Sequence, residues 1–271
     1  MLEQSSKVVL AIAGFDPSSG AGVTADLKTI AAHGLYGTAT VTALTVQTTQ
    51  GVRRWEAVAA TLVLETLEAL LEDMPPVAVK IGMLGSGEIA GKVAKFLHSH
   101  SLPNVILDPV LKSSSGADLL DRRGADILRA ELLGIADVIT PNLAEAGLLG
   151  DLEVNDLASM EEACRRLRAL GARNIVVTGG HLSEPTDLLA ESEPDGSLSF
   201  RTYPGVQIPT LNTHGTGCAF STALACNLAL GSSLGDAVLK AKTYVSGALR
   251  NSYQVGKGTS PINHLFGLKR R

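Results

Sequence analysis

The sequence predicts an α/β fold of three layers, α/β/α, around a mostly parallel central sheet. Short β-branched runs alternate with helix-length segments of 3–4 periodicity, the order of βαβ units feeding one sheet. Most of these runs are continuously hydrophobic, as strands covered by helices on both faces must be.

In chain order, a strand at 8–13 leads into a helix at 24–32. Strand 38–44 precedes helix 60–72, strand 78–81 helix 88–100, strand 104–107 helix 124–133, and strand 137–139 helix 143–148. A helix at 159–170 continues the stripe Leu157, Met160, Cys164, Leu167 and Leu170, which marks a packing face. Strand 174–177 follows. The polar stretches 183–185 and 191–196 read as turns around an antiparallel pair, 186–189 and 197–202, near the sheet edge. Helices at 215–230 and 233–251 come last, the second with Leu234, Val238, Ala241, Val245 and Leu249 on one stripe. No repeat or Pro/Ser linker interrupts the order, so residues 1–271 are expected to form one domain.

Composition narrows the function. Hydrophobic residues make up 45% and charged residues 18% of the chain, which disfavours disorder. The net charge of −4, without a long run of either sign, and only ten aromatic residues argue against a nucleic-acid surface. Residues 269–271, Lys-Arg-Arg, are expected to be a solvated tail. Three scattered cysteines without a CxxC suit a reducing compartment, and the apolar run after residue 7 is too short for a signal core or a membrane span. A cytoplasmic location is the expectation.

Ligands of open α/β sheets sit at the carboxyl ends of the strands, which confines the search to strand-end loops. The loop GFDPSSGAG (14–22) carries three glycines that permit close backbone approach to a ligand, yet matches neither GxGxxG nor a P-loop. A plain Gly/Pro turn is the alternative. In NTHGTGCAF (212–220), Gly215, Thr216 and Gly217 would present backbone N–H groups at a helix N-terminus, a cradle for phosphate or developing negative charge. Cys218 then falls in the first turn, where that potential should favour thiolate and let it accept a proton or act as a nucleophile. A small buried residue is the plain reading of Cys218, and the one that suits Cys164 and Cys226.

Asp108 in LDPV (107–110), with Asn142 and Glu145 in TPNLAE (140–145), would place hard oxygen ligands suited to Mg²⁺ at strand ends. Asn142 and Glu145 also have the spacing of a capping box, and both roles can coexist. Gln47 in TALTVQTTQGV (42–52) carries the donor and acceptor needed to read a heterocycle edge, or is an ordinary turn amide. His181 in GGH (179–181) has more structural explanations than catalytic ones.

Together with ADLK (25–28), KIGM (80–83), DPV (108–110), PNLAEA (141–146) and HGTGC (214–218), these motifs resemble the hydroxymethylpyrimidine kinase/phosphomethylpyrimidine kinase family of thiamine biosynthesis, within the ribokinase-like superfamily, over roughly residues 8–264. The resemblance implies a ribokinase-like fold and a kinase using ATP and Mg²⁺. It would phosphorylate the hydroxymethyl group of 4-amino-5-hydroxymethyl-2-methylpyrimidine and then the monophosphate. By matching position, Gln47 would read the pyrimidine, with Gly14, Asp26, Met83 and Val110 around it. Asp108, Asn142 and Glu145 would organise Mg²⁺ and the triphosphate. Cys218 would stand at the place of the superfamily's general base, beside the anion hole of Gly215, Thr216 and Gly217. Phe15 replaces the family's usual small residue. Thr178 stands where many members have a basic residue, so Lys240 or Lys242 would meet part of the nucleotide charge. Family members often form homodimers. A pyridoxal or pyridoxine kinase on the same scaffold is the nearest alternative. A cysteine hydrolase using Cys218 with His181 or His214, and a pyrimidine-binding regulator, are the readings from other classes.

Overall fold

Successive residues of the apolar runs bury on opposite faces of one sheet, under different helices. On β1 (Val8–Phe15), Val9 packs with Ile30, Phe220 and Val238, while Leu10 and Ile12 pack with Val63, Ile89 and Leu132. The computed structural model describes residues 7–113 and 116–268, so the expected tail at 269–271 lies outside the described residues. After β1 come α1 (Gly22–Ala32), β2 (Tyr36–Thr48), β3 (Gly51–Ala57), α2 (Ala60–Asp73), β4 (Ala78–Ile81), α3 (Gly87–Ser99) and β5 (Val105–Leu107). Then follow α4 (Arg122–Ile127), a π-helical turn (Leu128–Leu132), α5 (Leu133–Ile135), β6 (Val138–Ile139), α6 (Leu143–Gly150) and α7 (Leu157–Ala169). The chain continues through β7 (Asn174–Val177), β8 (Thr186–Ser192), β9 (Leu198–Pro204), α8 (Thr216–Ala229) and α9 (Leu234–Arg250).

The strand order is β3-β2-β1-β4-β5-β6-β7-β8-β9. From β2 through β7 neighbours run parallel, and β3 and β8 are antiparallel to theirs. The α/β fold and the edge pair β8–β9 agree with expectation. β3 departs from it: its residues Arg53, Arg54 and Glu56 are exposed, so no apolar pattern announces the strand. Pairing with the second half of β2, it forms an antiparallel hairpin at one edge of the sheet. Among the described residues, no helix is long and apolar enough to cross a membrane.

α8 is the element that builds the site. Ala219 through Asn227 are all buried, as expected of a helix apolar nearly all round. It contacts α1, α9, β4 and β5, with its N-terminus at the carboxyl edge of the sheet.

Candidate active site

Gly215 caps α8 in the left-handed conformation, φ 83°, with no side-chain hydrogen bond. A Cβ there would lie 1.8 Å from the carbonyl oxygen of Gly20, so both conformation and space demand glycine. Two glycine loops, 14–22 and 212–217, thus interlock. Amides of a first helical turn lack intrahelical acceptors and, with no capping side chain, are open to an anion, apart from that of Thr216, which donates to Thr213 O at 3.4 Å. Gly217 differs from Gly215: a Cβ there meets nothing within 4 Å, so the space above it is open.

Beneath this turn lies a buried charge cluster. Lys80, on β4, has no exposed surface, and its Nζ is 3.1 Å from both carboxylate oxygens of Asp26 and 3.9 Å from Asp108 Oδ2. From α8, the Thr222 hydroxyl donates to Asp26 at 2.7 Å and the Ser221 hydroxyl to Asp108 at 3.0 Å. Burial works against the Lys80 ammonium, but Asp26, Cys218 and Asp108 outweigh it and hold its pKa above the ordinary value. Asp26 is therefore the counter-ion of Lys80, fully enclosed, rather than a residue lining a pocket.

Cys218 overturns the expectation of a favoured thiolate. Burial pushes its thiol up to about 12; Lys80 pulls it down, while Asp108 and Asp26 push it up again. The helix-terminus potential does not prevail over desolvation and two carboxylates. His214 is engaged with Asp16 of the 14–22 loop, an arrangement that does not pair it with Cys218 as a cysteine hydrolase would need.

Asn142 and Glu145 form the capping box of α6: Asn142 Oδ1 accepts from the Glu145 amide at 2.9 Å, and Glu145 Oε2 accepts from the Asn142 amide at 3.0 Å. Burial, then the charge of Asp108, push Glu145 up to about 8. Asp108 is likewise raised by burial, against the pull of Lys80. Two buried carboxyls that disfavour each other's ionisation are what a divalent cation relieves, so the residues fit Mg²⁺. Among the described residues no group of three or more His, Cys, Asp or Glu is arranged to hold a metal, so such an ion would complete its shell with water and phosphate.

The 14–22 loop is organised by Asp16. Its carboxylate accepts from the amides of Ser18, Gly20 and Ala21 at 2.8, 3.1 and 2.9 Å and from the Ser18 hydroxyl at 2.7 Å. His214 Nε2 lies 2.8 Å from Asp16 Oδ2. The amide group of Gln47 reaches His214 Nε2 and Thr45 Oγ1, both at 3.2 Å. Next to it is an apolar floor of Met83, Ala43 and Leu119, with Val52, Trp55 and Val110 packed against them. Gly14 belongs to this floor, because a Cβ there would lie 2.8 Å from Met83 Sδ. Phe15 turns instead into an apolar groove along β2 with Val41, Leu44 and Leu62.

Farther along the edge, the Thr178 amide donates to Pro141 O at 2.9 Å. Asp187 accepts from the Gly179 amide at 2.9 Å and from Lys242 Nζ at 2.8 Å, which brings Lys242 beside Thr178. Lys240 is not brought there: it donates to Ser232, beyond the far end of α8. His181 is exposed on its loop. Sequence reading assigned no role to Lys80, although a lysine inside the otherwise apolar strand AVKI was the signal available. It also assigned none to Asp16, whose partner His214 is 198 residues away.

The phosphomethylpyrimidine kinase family profile matches residues 16–263. A bifunctional thiamine biosynthesis protein of Geobacter sulfurreducens is 40% identical over 260 residues, 95% of this chain but 52% of that protein, so the chain spans about half its length. A hydroxymethylpyrimidine/phosphomethylpyrimidine kinase of Haemophilus influenzae is 39% identical over 95% of this chain and 96% of its own. Among solved structures, a phosphomethylpyrimidine kinase from Clostridium difficile superposes with TM-score 0.78 and 34% identity, covering 90% of this chain and 99% of that one. A pyridoxal kinase from Staphylococcus aureus in complex with AMP-PCP and pyridoxal gives TM-score 0.87 and 29% identity over 97% and 95%. With a family match across nearly the whole chain and full-length relatives at this identity, the chain belongs to the phosphomethylpyrimidine kinase family.

Proposed function

We propose that this chain transfers the terminal phosphoryl group of ATP to the hydroxymethyl oxygen of 4-amino-5-hydroxymethyl-2-methylpyrimidine, and then to the phosphate of the product, forming the pyrophosphate used in thiamine biosynthesis. One observation carries the reading: the uncapped N-terminus of α8 opens beside Cys218 and above Lys80 and Asp108, on the edge that also holds Gln47 and the apolar floor.

In this mechanism the ring lies on Gly14, Met83 and Val110 with its polar edge toward Gln47. Amides of residues 215–218 stabilise charge on the transferring phosphoryl, and the helix dipole adds to them. The Cys218 thiol, protonated in the unliganded site, orients the attacking hydroxyl. Because phosphoryl transfer is loose, placement matters more than base strength, and a thiol of high pKa suffices. Asp108 and Glu145 would hold Mg²⁺, with Asn142 fixing Glu145; when bound, the ion neutralises phosphate charge. Lys242, next to Thr178, would meet charge on the nucleotide. The chain would act as a single cytoplasmic domain and pair as a homodimer.

The test is a phosphorylation assay with purified protein, ATP, Mg²⁺ and the hydroxymethylpyrimidine, following both products by mass. Appearance of the mono- and pyrophosphate supports the proposal; ATP-independent turnover or no product sinks it. A second reading, pyridoxal kinase activity, is favoured by the superposition on the pyridoxal-bound enzyme. Comparing kcat/KM for the two substrates separates them.

A further inference from the structure

We infer that Asp16 is a positioning residue which fixes, through the ring of His214, the direction in which Gln47 presents its amide to the substrate. The inference rests on the reading that Gln47 faces the pyrimidine, and it concerns how that residue comes to discriminate between rings.

The argument is a count of donors and acceptors. An ionised carboxylate only accepts. Asp16 already takes three backbone amides and a hydroxyl, and is 3% exposed. Burial raises its pKa, but the His214 and Ser18 hydrogen bonds outweigh it and leave it below the ordinary value, so the group stays charged. The His214 nitrogen 2.8 Å away must therefore carry a hydrogen. That nitrogen then has no lone pair to accept from Gln47 Nε2, which stands 3.2 Å from it, so the amide has to be turned over: its oxygen then faces the N–H and shares the hydrogen that goes chiefly to Asp16.

The other end gives the same answer independently. The Thr45 hydroxyl has one hydrogen, and the Phe15 carbonyl takes it at 3.0 Å. Toward Gln47, whose Oε1 stands 3.2 Å away, the Thr45 oxygen can then only accept, so here too the amide has to turn over and present its nitrogen. Turned the other way, the amide would set two donors against each other at His214 and ask Thr45 for a second hydrogen. Carboxamide direction is assigned from such networks, and here both neighbours demand one direction. The ring of His214 cannot easily swing away, because it packs on Gly20, where a Cβ would lie 2.1 Å from it.

Gln47 is left with one N–H and one oxygen lone pair in a fixed order. A 4-aminopyrimidine offers an exocyclic N–H beside a ring nitrogen acceptor. Its 4-oxo analogue offers a carbonyl beside a ring N–H, the same groups in reverse. A fixed amide matches one pattern and opposes the other; a free amide serves both. Asp16 thus acts on specificity without touching substrate.

The experiment compares kcat/KM for the 4-amino and 4-oxo hydroxymethylpyrimidines in wild type, Asp16→Asn, His214→Ala and Gln47→Ala. Wild type is expected to prefer the amino ring by roughly 10³-fold or more, as sites that must leave buried polar groups unpaired reject the wrong ligand. Asparagine can donate to His214 as well as accept, which frees the ring tautomer. The preference should therefore fall at least about tenfold in Asp16→Asn, with the KM for ATP nearly unchanged. His214→Ala, which removes the intermediary and leaves the Asp16 turn bonds in place, should show the same loss of preference even if Asp16→Asn proves unstable. A retained preference in both variants, or an equal fall on both substrates, overturns the role of Asp16. If Gln47→Ala keeps the full preference, the reading of Gln47 itself falls, an outcome distinguishable from failure of Asp16 alone.

Discussion

The Lys80 ammonium sits 3.1 Å from both oxygens of Asp26, with neither side chain exposed. The pair joins β4 to α1, and Thr222 ties it to α8. Removing one partner leaves a buried charge without its counter-ion, which costs about 3–5 kcal/mol. Lys80→Met should therefore destabilise the fold by that order in denaturant unfolding. Lys80→Met combined with Asp26→Leu should recover part of the loss. Equal destabilisation by single and double variants would show that the pair is not the source.

The two glycines at the start of α8 should behave differently. Gly215→Ala forces a Cβ to 1.8 Å from Gly20 O at φ 83°, so both stability and turnover should fall. Gly217→Ala meets no atom within 4 Å and should keep its melting temperature. If phosphate occupies that open space, its kcat/KM for ATP should nonetheless drop by about 10²-fold or more, the scale of losing one transition-state donor. Cys218→Ser, which keeps a group able to orient the hydroxyl, should lose less than Gly217→Ala. Steady-state kinetics with parallel melting curves decide the order.

How much of this was legible follows from what carries each signal. The runs at β1 and β7 are apolar on both faces, and β4 is so but for Lys80, so they announced themselves, whereas β3 pairs through its backbone and exposes Arg53, Arg54 and Glu56. HGTGC could be read as a helix start because Gly-Thr-Gly is a local pattern. The protonation of Cys218 could not: it depends first on burial and then on Asp108 and Asp26, which only the tertiary fold brings beside the thiol. Asp26 was expected at the substrate because ADLK is a family motif, and motif membership does not tell a pocket wall from a buried counter-ion. The Asp16–His214 contact has no sequence signature across 198 residues.

Acid should weaken the back of the site through His264. Its Nε2 lies 3.3 Å from Gly20 O, it is 3% exposed, and burial, then the Lys28 charge, push its pKa down to about 4. The unfolded histidine titrates near 6.5, so between about pH 6.5 and 4 the unfolded state binds more protons. Stability present above pH 6.5 should thus be lost as pH falls through 4. Denaturant midpoints across this range should slope downward toward acid, and His264→Gln should flatten the slope. An unchanged slope would assign the acid sensitivity elsewhere.

Lys242 and Lys240 are two residues apart on α9 yet point to different ends of α8. Lys242 is held by Asp187, whose other oxygen accepts from Gly179 next to Thr178. A positive charge there can shift toward a nucleotide phosphate by trading one carboxylate for another anion, whereas Lys240 is engaged with Ser232 at the opposite end. Lys242→Ala should therefore raise the KM for ATP about tenfold, the loss expected for one charge-assisted hydrogen bond, with the KM for the pyrimidine little changed. Lys240→Ala should leave both constants at wild-type values. Thr178→Lys places a basic residue next to Gly179, and in the Lys242→Ala background it should restore most of the affinity for ATP. Failure of that rescue, with Lys240→Ala as harmful as Lys242→Ala, would show that the nucleotide charge is met by other groups.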